Sequence, residues 1–127
     1  MDDTVQGATW RINTATGDYT MTFNDPTIKP RDEVALVVNG VHIHNSELYF
    51  TKLATSSVGK VILLPEGSAA SKTQILTTEA LTADDFALPG NSVVYSAGAK
   101  TLWQVSVTQA VRWSKALHPR GLVGLQR

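Results

Sequence analysis

Apolar and polar residues alternate over Thr101 to Trp113, TLWQVSVTQAVRW: Trp103, Val105, Val107, Val111 and Trp113 share one parity, and Gln104, Ser106, Thr108 and Arg112 take the other. A period of two marks a strand with one buried face. The pattern predicts a long strand whose part up to Val107 enters the core, while its end at Arg112 and Trp113 runs into a basic, apolar tail. From Gln109 the alternation weakens, and Ala110, Val111, Ser114 and Leu117 also fit one face of a helix, so residues 109–117 stay open between strand and helix as far as Pro119.

The same period recurs upstream. Ala8 to Asn13 and Tyr19 to Asn24 read as two strands around the turn Thr14 to Asp18, with Trp10 and Ile12 on one face of the first and Tyr19, Met21 and Phe23 inward on the second. Glu33 to Val38 is nearly continuous in apolar residues and ends at Asn39-Gly40, a strong hairpin signal. Val41 to Ile43 is its return, Glu47 to Thr51 another strand or the continuation of that return, Thr55 to Gly59 a turn, and Lys60 to Leu64 a buried strand. Pro65 to Ser71 is the best candidate for a mobile loop, and Thr73 to Thr77 for an edge strand. Thr78 to Ala87 is the most helix-like patch, with capping-box spacing from Thr82 to Asp85 and an end at Pro89-Gly90. Ser92 to Tyr95 is a strand joined through Ser96 to Lys100 to the opening stretch.

Short strands separated by Gly, Asn and Pro turns predict an all-β fold, an antiparallel β-sandwich or barrel of jelly-roll type with one short helix and arm-like termini. Residues 1–7 form the expected N-terminal arm, 8–117 a single β domain and 118–127 a C-terminal arm. At 127 residues the chain is long enough for one core. Its 43% hydrophobic and 17% charged residues place it among globular chains, with a surface thin in charge and open to a partner. Eleven basic residues balance eleven acidic ones, a poor footprint for phosphate-backbone binding, so no direct nucleic-acid role is expected. No run reaches the length of a membrane span, and the acidic start is unlike an export signal. The absence of cysteine removes disulfides, thiolate ligands and Cys nucleophiles.

His42 and His44 on a strand share a face, with Glu47 close behind, and the three are the best metal candidates in the chain. The spacing lacks the remaining ligands of the first cupin motif, which it partly resembles, so no metal or other cofactor is expected. Gly98 to Thr101 ends like a phosphate loop but joins two strands, no G-x-S-x-G elbow exists, and Asp84-Asp85 fit the first turn of a helix. No catalytic residue is assigned. After Asp85 the chain carries no acid, and Arg112, Trp113, Arg120, Leu122, Val123, Leu125 and Arg127 form the expected partner-binding set.

The stretch from Thr14 to Leu64 resembles small β-modules of bacteriophage tail-fibre, baseplate and capsid-decoration proteins. Asp32, Val34, Leu36, Val38, Asn39, Gly40, Val41 and Tyr49 carry the likeness, and the loop from Lys52 to Val58 is longer than the usual link. The resemblance implies a non-enzymatic structural subunit of a virion, forming a homo-oligomer and contacting other virion proteins through its arms. The alternative is a soluble cytoplasmic carbohydrate-binding module or lectin that stacks a glycan on exposed Trp or Tyr.

Overall fold

The computed structural model describes residues 7–26, 29, 38–78, 84–90, 93–98 and 101–107 with their side chains, and the backbone alone of 2–3, 113–115, 117–118 and 121–122. The strands are β1 (Asp2–Asp3), β2 (Ala8–Ile12), β3 (Tyr19–Phe23), β4 (Val38–His44), β5 (Glu47–Lys52), β6 (Ser57–Ile62), β7 (Gln74–Thr77), β8 (Phe86–Ala87), β9 (Val93–Ala97), β10 (Leu102–Ser106), β11 (Trp113–Lys115), β12 (Leu117–His118) and β13 (Gly121–Leu122). Every pairing is antiparallel. The strands form sheets ordered β1-β2-β3, β4-β5-β6-β7 and β11-β10-β9-β8, with β12-β13 as a separate two-stranded ribbon. Among the described residues the fold is therefore mostly β, and the sheets do not close into the barrel that the sequence left open.

The β4-β5-β6-β7 sheet is buried on both faces, because β5 carries large apolar residues at successive positions. Tyr49 and Val58 join Leu76, Phe86, Val94, Trp103 and Val105 in one core cluster, shared with β8, β9 and β10. Leu48, Phe50 and Val61 take the opposite face, where they meet Phe23 of β3, Val38 and Leu63. A residue run such as Leu48-Tyr49-Phe50 thus serves two cores in alternation. Gly59 makes this possible: a Cβ there would lie 2.5 Å from Phe50 Cζ, so only glycine admits the ring.

Several expectations are corrected. Asn39-Gly40 is not a hairpin turn but lies inside β4, where the register shifts between Val38 and Val41. The turn is Asn45-Ser46, with φ of 49° and 61°, a two-residue loop of the twist that suits a hairpin. Gly40 is glycine for another reason: a Cβ would stand 2.8 Å from Asp85 Oδ1 and 3.1 Å from Thr51 Oγ1. The expected turn Thr55 to Gly59 is instead a single 3₁₀ turn at Leu53–Thr55 closed by Ser56 in the left-handed region, and Ser57 already belongs to β6. Within the expected mobile loop, the Leu64 and Ala70 amides donate to Ser68 and Ile62 carbonyls at 2.8 Å, so the segment is knitted to β6.

Phe86–Ala87, expected at the end of a helix, is strand β8. Residues 79–83 of that patch lie outside the described residues, as do Glu33 to Val37, including Val34 and Leu36, and Asp32. The long strand predicted over Thr101 to Trp113 ends at Ser106, and Trp113–Lys115 folds back beside it, Trp113 opposite Val105 and Lys115 opposite Trp103. Two residues of the expected N-terminal arm, Asp2 and Asp3, pair with Thr9 and Ala8. In the expected C-terminal arm, Leu117–His118 pairs with Gly121–Leu122.

Candidate functional site

The β2-β3 hairpin turns around Asn13 to Asp18: the Gly17 amide donates to the Asn13 carbonyl at 2.8 Å, and Gly17 takes φ of 81°. Beyond this turn, Ile12 stands opposite Tyr19, and Trp10 opposite Met21. These four apolar side chains share one face of the hairpin. Only Phe23 of the expected inward trio is buried; Tyr19 is 71% exposed, Ile12 44% and Met21 37%. The cause is a register shift between Thr9 and Trp10, where β3 carries the extra residue Thr22 and the alternation breaks. Inside the bulge the hairpin packs on Phe50, with ring centroids 6.0 Å apart. Outside it, the hairpin presents apolar surface to solvent.

Trp10 and Tyr19 meet edge to face at 5.7 Å and 70°. With Ile12 and Gly17 they line an open apolar recess of about 250 Å³. A second crevice, of about 120 Å³, runs between this hairpin and the β4-β5-β6 sheet, and Trp10 lines both.

On the core-facing side of β4 and β5, His42 stands opposite Tyr49 and His44 opposite Glu47, so the two histidines do share a face with the glutamate. They do not assemble around a common point. Glu47 is taken from within the sheet: Lys60 Nζ donates to Oε1 at 2.8 Å and the Tyr49 phenol to Oε2 at 2.5 Å. Burial pushes the Glu47 carboxyl up, but the hydrogen bonds from Lys60 and Tyr49, with the charges of Lys60 and His44, outweigh it and hold the group below its ordinary value. Burial, and then the bond to Glu47 and its charge, raise the Tyr49 phenol. His42 approaches Asp85 Oδ1 at 3.4 Å and packs edge-on against Phe86 at 4.7 Å. Among the described residues no group of three His, Asp or Glu could hold a metal ion.

Asp84 and Asp85, assigned above to a helix start, tie two sheets together. Asn39 Nδ2 donates to Asp84 Oδ1, and the Thr51 hydroxyl to the Asp84 carbonyl at 2.9 Å. On the other side the Asp84 amide donates to the Ala97 carbonyl at 2.9 Å, and the Ala97 amide to the Asp85 carbonyl at 2.8 Å.

Of the expected partner-binding residues, Arg112, Arg120, Val123, Leu125 and Arg127 lie outside the described residues, and Trp113 and Leu122 are placed by backbone only, in β11 and β13. Missed in the sequence were Ile12, Tyr19 and Met21. Their alternation is that of core residues, and no local signal separates a covered strand face from an exposed one.

Fold and site define a class: antiparallel β-sheets with an apolar face exposed on the β2-β3 hairpin. Comparisons with protein-family models and with curated proteins found no match.

Proposed function

We propose that this chain is a non-enzymatic structural subunit that assembles with copies of itself, as a tail, fibre or capsid-decoration component of a phage particle. In this reading the sheets form a β-sandwich, with β4-β5-β6-β7 between the hairpin sheet and β8-β9-β10-β11. The observation that supports assembly is the exposed face of Trp10, Ile12, Tyr19 and Met21. Tyr19 and the apolar recess that it lines sit on one face of the hairpin, and a two-fold arrangement would bury this face against the same face of a second copy. The thin surface charge and the sequence likeness of Thr14 to Leu64 to phage β-modules support the same role, although the Asn39-Gly40 turn in that likeness lies inside β4, and a virion location goes with it.

Light scattering on the wild-type chain and on Tyr19→Asp tests this. Oligomers in the wild type, and monomers with unchanged circular dichroism in the variant, are expected. A wild-type chain that stays monomeric at high concentration overturns self-assembly.

A second reading, a carbohydrate-binding module, is favoured by one observation: the Trp10-Tyr19 pair beside an open recess offers an aromatic face for stacking a sugar ring. A glycan array, followed by quenching of tryptophan fluorescence that Trp10→Ala removes, distinguishes the two.

A further inference from the structure

Asn39-Gly40 makes no turn in this fold, and the two nitrogens of the pair are held by one distant segment. Asn39 Nδ2 donates to Asp84 Oδ1. The Gly40 amide donates to Thr51 Oγ1 at 2.9 Å, and the same hydroxyl donates to the Asp84 carbonyl at 2.9 Å. Gly40 and Thr51 are buried and Asn39 is half-buried. The Asp84 main chain also crowds Gly40, where an added Cβ would lie 3.2 Å from the Asp84 carbonyl oxygen.

These are the two nitrogens of a known side reaction. Asparagine is a chemically labile side chain, and a following glycine makes it more so, because no side chain hinders attack by the next amide nitrogen. The Gly40 nitrogen bonds to Asn39 Cγ, the Cγ–Nδ2 bond breaks, and Nδ2 leaves as ammonia with the proton of the Gly40 amide. Water then adds to one carbonyl of the five-membered succinimide and opens it, leaving aspartate or isoaspartate at position 39. In the closed fold the Gly40 proton is engaged by Thr51 and the Asn39 amide is fixed on Asp84, so neither group is free to react.

We propose that Asn39 is a deamidation site gated by the contact between the two four-stranded sheets: with Asp84 seated on Asn39 and Thr51 the site is shielded, and when that segment opens the ring forms. A segment held by a few hydrogen bonds opens at lower cost than the whole domain unfolds. The product does not fit the closed state. A carboxylate at position 39 has no hydrogen to give Asp84 Oδ1 and sets two negative groups against each other. Isoaspartate also lengthens the main chain by one carbon at the register shift of β4. Opening followed by deamidation is therefore one-way. The site does not rest on the proposed self-assembly, whose face lies on the β2-β3 hairpin.

The test follows the mass of the Asn39 peptide by peptide mapping while the full chain is held at neutral pH, folded or in urea. Deamidation at Asn39 at least ~10-fold slower in the folded chain than in urea is expected. Asp84→Ala and, as a second variant that keeps the side-chain shape, Thr51→Val should each raise the folded-state rate at least ~3-fold and leave the rate in urea unchanged. Circular dichroism checks that each variant is folded. Asn39→Asp carries the product and is read separately: it should lower the urea midpoint, and adding Asp84→Asn should recover it, because an amide then faces the carboxylate again. Equal rates in the folded and urea-unfolded wild type overturn the proposal, as does a folded-state rate that neither Asp84→Ala nor Thr51→Val changes. An Asn39→Asp chain as stable as wild type overturns the one-way step.

Discussion

Gly59 and Gly40 show how much of this fold rests on the absence of a single methyl group. At Gly59 the added carbon would meet the Phe50 ring, which is fully buried and has nowhere to move. Gly59→Ala is expected to destabilise the protein by about 1–3 kcal/mol, the usual cost of overpacking, as a lowered urea midpoint. Gly40→Ala meets the side chain of exposed Asp85 first, which can yield, but also Thr51 and the Asp84 backbone, so it should loosen the joint between sheets. The Glu47 site carries a pH signature. A carboxyl lowered in the folded state adds stability that is present above its unfolded value of about 4.5 and is lost as pH falls through the folded value. Wild type should therefore exceed Glu47→Gln in stability at neutral pH, and the gap should close in acid. Tyr49 has the opposite sign: its raised phenol supports the fold fully below about pH 10 and loses that support as pH rises. Chemical denaturation across pH for wild type, Glu47→Gln and Tyr49→Phe reads out both limbs.

The β2-β3 hairpin divides at its bulge into two parts with different physics. Phe23 packs on Phe50 and is buried, so Phe23→Ala should cost about 3–5 kcal/mol, measured by denaturant unfolding. Tyr19 lies beyond the bulge and is mostly exposed, so Tyr19→Asp should change monomer stability by no more than about 0.5 kcal/mol. A large loss from Tyr19→Asp in a monomer would show that this face is covered from within the chain. The alternating pattern treated both residues alike. Alternation records which side of a strand a residue occupies, and whether that side is covered depends on how far the neighbouring sheet extends.

At the scale of the whole molecule, the segment Asp84 to Phe86 links the two four-stranded sheets. It bonds to β4 through Asn39, to β5 through Thr51 and to β9 through Ala97, and Phe86 inserts into the shared core. Asn39 and Asp84 are 45 residues apart in the chain. A double-mutant cycle on Asn39→Ala and Asp84→Ala should return a coupling of about 0.5–3 kcal/mol, as for residues that share one hydrogen bond, whereas additive effects would show that the contact carries no energy.

The order of apolar and polar residues by itself determined the all-β class, the hairpin around Gly17, β5, the edge strand β7 and the burial of Trp103, because local alternation and turn chemistry are written in adjacent residues. It did not determine why Asn39-Gly40 is there. Read locally, the pair is a turn; in the fold it is a gap in β4 that admits Asp85 from a segment 45 positions further along. The fold-back of Trp113 onto Val105 and the exposure of Tyr19 were likewise decided only in three dimensions. Each depends on which distant surface arrives, or fails to arrive, against a side chain, and that is a property of packing between sheets.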